Sequence, residues 1–334
     1  MNLIATPSNP VPRNGEAATI RASDGLALRI ARWPARGVLS KGDAAPGTLV
    51  ICQGRGEFIE KYFEVVENLL ARGFAVVAFD WRGQGGSARE LDNSRKGHVR
   101  DFALYQRDIE AVAAQVLEPF CPKPWFAHGH SMGGAILLDH AARGGTVFER
   151  MVLSAPMINI QGLAWPALTR IMARTANALG FGASFVPGGG ETSVATLPFE
   201  GNILTSDAKR YQRTADIVAH GSFLGLGSPT VAWLDAAFRL IGRFAQDDCP
   251  RQIAEPILIV AAGEDRVVDT RATARFAARL KAGRLIEIPG SRHEILVEQD
   301  VFRDRFWAAF DAFVPGARDE LAALEEARLK RAAK

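Results

Sequence analysis

A serine lies between two glycines at the point where an apolar run gives way to helix-like sequence. The segment "WFAHGHSMGGAILLDHAARGG" (125–145) contains the pattern G-x-S-x-G, and this strand-to-helix context is typical of a nucleophile elbow. Such a turn is tight, so the flanking residues must lack bulk, which Gly129 and Gly133 satisfy. The pattern predicts Ser131 as a nucleophile above a sheet. The alternative is a serine in an ordinary glycine-rich turn.

A serine hydroxyl is a weak nucleophile, so it needs a histidine base that a carboxylate holds in place. After an elbow of this kind, the acid and then the histidine follow in the chain. Two apolar runs end in these residue types: "PILIVAAGEDRVVD" supplies Glu264 and Asp265, and "LIEIPGSRHEILVE" supplies His293. Asp265 is the leading acid. Glu264 and Asp269 remain rivals, and Asp269 could instead cap the next helix.

The other histidines are weaker candidates for the base. His128 and His130 are too close to Ser131 within one turn, so we interpret them as structural or pocket-lining. His220 lies in the long segment between two predicted core strands. His293 is therefore the predicted base, although it could be a surface-loop histidine.

A second glycine loop follows an early strand, in "TLVICQGRGEFIEKY" (48–62). A G-x-G sequence here could bind a dinucleotide, with Asp80 at the end of the next strand on the ribose. The third position of that fingerprint is Ile59 rather than glycine, which disfavours this alternative.

Ester attack creates an oxyanion, and two backbone N–H groups should face it. One comes from the residue after the serine, Met132, and one from the early loop, Arg55. Gly54 and Gly56 let the backbone of that loop approach closely. We favour this oxyanion-hole interpretation over the dinucleotide loop. The segment "DWRGQGGS" (80–87) is predicted to shape the same edge without chemistry of its own.

Continuous apolar runs alternate with helix-like runs from Thr48 onward, which predicts a mostly parallel sheet of about eight strands covered by helices on both faces. The segment between Pro156 and about Pro250 lacks strand patterns and carries helix-like runs. It is predicted to be a helical cap inserted between core strands. The predicted units are a flexible N-terminal arm (1–16), a core in two parts (17–156 and 251–316), the helical cap (157–250) and a charged helical tail (317–334).

The cap carries apolar residues that either pack its interior or line an acyl-chain pocket. They are Leu163, Trp165, Ile171, Met172, Phe181, Phe185, Phe223, Leu224, Leu226 and Trp233.

Composition narrows the function classes. The net charge is +3 with basic and acidic residues interspersed, which disfavours a nucleic-acid partner. Three widely spaced cysteines imply neither a disulfide framework nor a metal site. The N-terminal sequence lacks the pattern of a signal peptide, and no apolar run reaches the ~18 residues of a membrane span. We expect a cytoplasmic protein; transient contact with the inner face of a membrane and the oligomeric state stay open.

Taken together, these motifs resemble the lysophospholipase/monoacylglycerol lipase branch of the α/β-hydrolases over roughly residues 20–314. "QGRGEFIEKY" and "DWRGQGGS" are similar to two loops of that family, with Gln53 and Gln84 where histidines are usual. "GHSMGG", "LSAPM", "GEDRVVD" and "GSRHEILVE" follow in the family's order. "NILTSDAKRYQR" and "GLGSPTVAWLDAAFR" resemble cap segments of bacterial lysophospholipase-like members.

The resemblance implies an α/β-hydrolase fold and a serine hydrolase that cleaves esters without a cofactor or metal. It also implies Ser131, Asp265 and His293 as the triad, and the N–H groups of Arg55 and Met132 as the oxyanion hole. The expected substrate is a lysophospholipid or monoacylglycerol. The alternatives are a small non-lipid ester or amide as substrate, or a catalytically silent scaffold that acts as a binding protein.

Overall fold

The computed structural model describes residues 2–35 and 46–316, and these residues build one central sheet. Its strands are β1 (Glu16–Arg21), β2 (Ala27–Trp33), β3 (Thr48–Cys52), β4 (Ala75–Phe79), β5 (Trp125–His130), β6 (Arg150–Ser154), β7 (Ile257–Ala262) and β8 (Gly283–Ile288). The order across the sheet is β1-β2-β4-β3-β5-β6-β7-β8. Strands β3 to β8 run parallel, whereas β2 pairs antiparallel with β1 and β4. The predicted α/β fold with a mostly parallel sheet of eight strands is confirmed.

Helices cover both faces of this sheet. They are α1 (Phe63–Ala71), α2 (Leu104–Val112), α3 (Glu118–Phe120), α4 (Met132–Ala142), α5 (Pro166–Ala178), α6 (Ala208–His220), α7 (Val231–Phe244), α8 (Cys249–Gln252), α9 (Thr270–Ala277) and α10 (Asp300–Phe313). Buried residues of α1 and α10 pack on one face of the sheet, and those of α2, α4 and α9 pack on the other. Strands β3, β4, β5 and β7 are buried on both sides, which explains their continuous apolar runs. None of these helices is long and apolar enough to span a membrane.

The segment 157–250 lies between β6 and β7 and contains α5 to α7 and the first residues of α8, but no strand of the sheet. Two of its helices begin with a side-chain cap. Asp207 accepts a hydrogen bond from Arg210 N before α6, and Thr230 accepts one from Trp233 N before α7. Helix α5 packs along α7 through Ala173, Phe238 and Ile241. We call residues 157–250 the cap segment.

Several residues of the predicted N-terminal arm (1–16) contact the core. The N–H of Ile4 and the side-chain amide of Asn9 donate to Glu60, and Trp33 Nε1 donates to Pro12 O at 3.2 Å. Asn9 is buried. Its side-chain amide can be removed from water because it donates to the backbone carbonyl of Glu60, which is buried as well. The predicted charged tail (317–334) lies outside the described residues.

Candidate active site

Ser131 sits between the end of β5 and the start of α4 in a sharp turn. Its φ is 49° and its ψ is −113°, a conformation that side-chain-bearing residues rarely adopt. The turn is held because Ser131 N donates to Ser154 O on the neighbouring strand, and Ser131 O accepts from Met157 N. The hydroxyl therefore stands at the carboxyl edge of the sheet.

The predicted elbow glycines lie where no side chain fits. A Cβ on Gly133 would collide with the carbonyl oxygens of Cys52 and Gln53, because the first turn of α4 lies directly against the end of β3. A Cβ on Gly129 would lie 2.8 Å from Gly134 Cα, again too close for a real contact. Both positions therefore require glycine for the elbow to form.

The structure brings Ser131, His293 and Asp265 together from three separate loops. His293 Nε2 lies 3.0 Å from Ser131 Oγ, and His293 Nδ1 lies 2.8 Å from Asp265 Oδ2. All three side chains are buried. In this arrangement the carboxylate fixes the imidazole so that Nε2 is free to accept the serine proton.

Asp265 is held as a charged group. Burial alone would raise the pKa of its carboxyl, but the hydrogen bond from His293 lowers it below its usual value. The N–H groups of Val267 and Val268 also donate to Asp265 Oδ1, at 2.8 and 2.9 Å. The structure places the two rivals elsewhere: Glu264 is exposed, and Asp269 accepts from Ala272 N as the cap of α9.

Arg55 and Met132 both line the cavity above Ser131. Within the described residues, neither backbone N–H donates a hydrogen bond to another group, so both are available for an oxyanion. The Arg55 side chain contacts the cap segment. Its Nη2 donates to Gly227 O at 2.6 Å, and its Cζ lies 5.4 Å from the centre of the Trp233 ring. It thereby ties the loop after β3 to the cap segment.

The loop 80–87 supports the loop 53–57. Gln84 donates to the carbonyls of Gly54 and Glu57 and accepts from the N–H of Gly56, which has a φ of 73°. A Cβ on Gly54 would lie 2.8 Å from a carboxylate oxygen of Glu57. Glycine at both positions therefore lets the loop 53–57 fold tightly against its support.

Asp80 is not available to a ribose. It is fully buried and accepts from Arg29 Nε at 2.7 Å, from Ile59 N at 3.0 Å and from Gly86 N at 2.6 Å. The dinucleotide alternative therefore lacks its acidic group, and "DWRGQGGS" carries out the supporting role that the sequence predicts.

The sequence interpretation missed a buried ionic cluster beside the three side chains. Lys61 Nζ lies 2.8 Å from Glu57 Oε1 and 2.6 Å from Glu294 Oε1. The second oxygen of Glu57 accepts from Gly54 N at 2.5 Å and from Tyr62 Oη at 2.6 Å. The cluster thus links the loop after β3 to the residue that follows His293. A possible signal was the i, i+4 spacing of Glu57 and Lys61.

The two histidines near Ser131 are buried and uncharged. Burial lowers the pKa of His128 to about 3 and that of His130 to about 4. His128 Nδ1 lies 3.1 Å from Val152 O, which marks it as structural. The His130 ring lies 4.9 Å from that of His293 and lines the cavity, in agreement with the structural or pocket-lining interpretation.

Replacing Lys61 with methionine should lower the free energy of unfolding by about 3–5 kcal/mol, because the buried Glu57 and the half-buried Glu294 would be left without their cation. Burial would raise the pKa of Glu57, but its neighbours, above all the ammonium group of Lys61, lower it to about 2. Without Lys61 this pKa should rise, and protonation would then relieve the cost. The difference from wild type, measured by urea unfolding, should shrink as pH falls from 7 toward 4.5.

Lys209→Met is the matched control, because Lys209 is exposed on α6. It should change the free energy of unfolding by less than about 0.5 kcal/mol. A Lys61→Met protein as stable as the control at neutral pH would contradict a stabilising role for this cluster.

A cavity of about 730 Å³ opens above Ser131 and His293. This volume is within the usual range for small-molecule sites. Its walls are mostly apolar, with polar groups of the ionic cluster at one end. The apolar walls include Met157, Ile160, Leu204, Leu226, Trp233 and Leu234.

Eight of the ten apolar residues predicted in the cap segment fall into three groups, and the other two, Leu163 and Phe185, are half-buried. Leu226 and Trp233 are buried and line the cavity, and Leu224 packs in a small core with Phe58. Five others are neither core nor cavity wall but strongly exposed: Trp165, Ile171, Met172, Phe181 and Phe223. For these five, both the packing and the pocket alternatives are wrong.

The family model described as serine aminopeptidase, S33 (Hydrolase_4) matches residues 43–300. Lysophospholipase L2 of Escherichia coli is 34% identical over 285 residues, which cover 81% of this chain and 81% of that protein. Monoacylglycerol lipase of Mycolicibacterium smegmatis is 26% identical over 267 residues, or 76% of this chain and 83% of that protein.

A solved structure extends the similarity to the fold. A soluble variant of monoglyceride lipase from Saccharomyces cerevisiae, in complex with a substrate analog, matches with a TM-score of 0.68. The match covers 91% of this chain and 97% of that chain at 18% identity. At this identity the likeness shows a shared fold alone.

Proposed function

We propose that this chain, which belongs to the serine aminopeptidase S33 family (Hydrolase_4), releases fatty acid from lysophospholipids or monoacylglycerols through Ser131, His293 and Asp265. The predicted resemblance to lysophospholipases and monoacylglycerol lipases is confirmed by the two sequence relatives. The chain is a serine ester hydrolase. The observation that supports this proposal most directly is the series of hydrogen bonds from Ser131 through His293 to Asp265 at the base of a largely apolar cavity.

Each group has a defined part in the proposed reaction. Ser131 Oγ attacks the acyl carbonyl while His293 Nε2 accepts its proton. Asp265 stabilises the imidazolium that results, and the N–H groups of Arg55 and Met132 donate to the oxyanion. His293 then protonates the leaving alcohol. A water molecule, deprotonated by His293, hydrolyses the acyl-enzyme and restores Ser131.

The cavity supports a substrate with an apolar chain and a polar head. Its apolar walls would remove an acyl chain from water, which stabilises the complex by roughly 0.8 kcal/mol for each buried CH₂. The polar groups at the end formed by Glu57, Lys61 and Glu294 could hydrogen-bond with a glycerol hydroxyl. This division matches a monoacyl lipid better than a uniformly polar substrate.

Fatty-acid release from a 1-acylglycerol and from a lysophospholipid with the same chain tests this function. We expect release from at least one of them, and the preferred substrate identifies the head group. Cleavage of a short-chain nitrophenyl ester without either release would favour the small-ester alternative. A protein that neither turns over these substrates nor reacts with a fluorophosphonate probe would be a silent scaffold.

A further inference from the structure

The ionic cluster beside Ser131 takes no step of its own in the proposed reaction. It consists of Glu57, Lys61, Tyr62 and Glu294; the first three are buried and Glu294 is half-buried. Charged groups held out of water lose hydration that their mutual attraction only partly restores. Such pairs are weak evidence for stability, but they can fix one arrangement of the residues around them.

One end of the cluster holds the loop that carries a predicted oxyanion donor. Glu57 Oε2 accepts from Gly54 N at 2.5 Å, and Gln84 Nε2 donates to Gly54 O at 2.8 Å. Glycine restricts its own backbone little, so Gly54 depends on these two bonds for its orientation. Because the peptide bond between Gly54 and Arg55 is planar, holding the Gly54 carbonyl also sets the direction of the Arg55 N–H.

The other end of the cluster reaches the loop that carries the base. Lys61 Nζ lies 2.8 Å from Glu57 Oε1 and 2.6 Å from Glu294 Oε1, so a single ammonium group bridges two loops. Glu294 directly follows His293 in the chain. The bridge therefore ties the chain beside the base to the chain beside the oxyanion donor.

We propose that Lys61 is a positioning residue, which holds the oxyanion donor of Arg55 and the base His293 at the separation that the transition state requires. A displacement of about 1 Å in such a site can lower the rate about 100-fold. The proposal rests on the triad and oxyanion hole of the proposed function, but it does not require a lipid substrate. The alternative is that Lys61 and Glu294, which also line the cavity, only contact the head group of the substrate.

Steady-state hydrolysis of a short-chain nitrophenyl ester tests the positioning role, because this substrate has no glycerol or phosphate head group. Lys61→Met should lower kcat about 10- to 100-fold and change KM little. Lys61→Arg keeps the positive charge and should recover most of the lost activity. Glu294→Met removes the bond to the loop of His293 but leaves Lys61 paired with Glu57. It should lower kcat by a smaller factor, and it tests the proposal even if Lys61→Met does not fold.

Arg72→Met is the matched control for the loss of a buried cation. The Arg72 side chain is 7% exposed, and its Nε and Nη2 lie 2.7 and 3.0 Å from the carboxylate of Asp311. Arg72 follows α1, at the edge of the sheet opposite to the carboxyl ends of the strands, and it does not line the cavity. We expect this variant to lose stability but to keep kcat close to that of the wild type.

The pH dependence separates positioning from stability. Glu57 also receives a hydrogen bond from Tyr62 and lies 3.8 Å from His130, which stays uncharged because burial lowers its pKa to about 4. Without Lys61 the pKa of Glu57 should rise, so Glu57 becomes protonated as the pH falls. A neutral Glu57 costs less to bury but holds Gly54 N less firmly. The stability of Lys61→Met should therefore approach that of the wild type at lower pH, whereas the ratio of the two kcat values should grow.

The outcomes distinguish this proposal from the proposed function. A Lys61→Met protein with wild-type kcat on the nitrophenyl ester overturns the positioning role, and a loss confined to lipid esters would assign Lys61 to the head group instead. Differences in kcat and in stability that shrink together at lower pH also overturn it. Wild-type protein that cleaves the nitrophenyl ester but neither lipid contradicts only the proposed substrate, and the variants then still test Lys61. Wild-type protein that reacts with neither an ester nor a fluorophosphonate overturns both proposals.

Discussion

Ser131→Ala should lower kcat for ester hydrolysis by about 10⁶-fold and abolish labelling by a fluorophosphonate. The variant keeps the oxyanion donors and the cavity, so a residual acceleration of about 10³–10⁴-fold over uncatalysed hydrolysis should remain. Folding should change little, because alanine carries the same Cβ as serine and so bears the same backbone strain, and only one side-chain hydrogen bond is lost. Steady-state kinetics and thermal unfolding of the same preparation measure both effects.

Ser154→Ala is the matched control for this change. Ser154 is also a buried serine at the carboxyl end of a strand, and its Oγ lies 3.1 Å from His130 Nδ1 rather than from His293. We expect it to retain activity within tenfold of wild type and to be labelled normally. Near-native esterase activity in Ser131→Ala would show that another residue is the nucleophile.

The parts of the site that sequence could predict are those fixed by strand ends. A parallel sheet brings the carboxyl ends of β5, β7 and β8 to one edge, so residues far apart in the chain could be placed together. The choice between Glu264 and Asp265 was harder, because both carry the same charge at adjacent positions. Only the structure shows that Asp265 accepts two backbone N–H groups and faces His293.

The parts that sequence could not predict depend on side chains meeting across unrelated segments. Lys61 and Glu294 are 233 residues apart, and no local spacing pairs them. Helix α5 shows the same limit in another form. It carries apolar residues on more than one side, so periodicity could not tell which would be buried against α7 and which would face solvent.

Asp265→Asn should reduce kcat by about 10⁴-fold at neutral pH while changing KM little. An asparagine nearly preserves the shape of the side chain but cannot stabilise the imidazolium, and its amide can hold the wrong tautomer of His293. His293 Nδ1 and Asp265 Oδ2 are 2.8 Å apart, so this hydrogen bond should be sensitive to the loss of the negative charge. Steady-state kinetics on a soluble ester provide the measurement, and fluorophosphonate labelling should slow in parallel because it needs the same base.

Glu264→Gln and Asp269→Asn are the control variants for this prediction. Each removes a nearby carboxylate and leaves Asp265 in place. Glu264 is exposed, so its variant should stay within a few-fold of wild type. Asp269 caps α9, and asparagine is nearly as good a cap as aspartate, so this variant should lose little stability and little activity. If either variant loses as much kcat as Asp265→Asn, the acid has been assigned to the wrong residue. If Asp265→Asn keeps wild-type kcat, His293 is oriented by other groups and the three-residue mechanism fails at its third member.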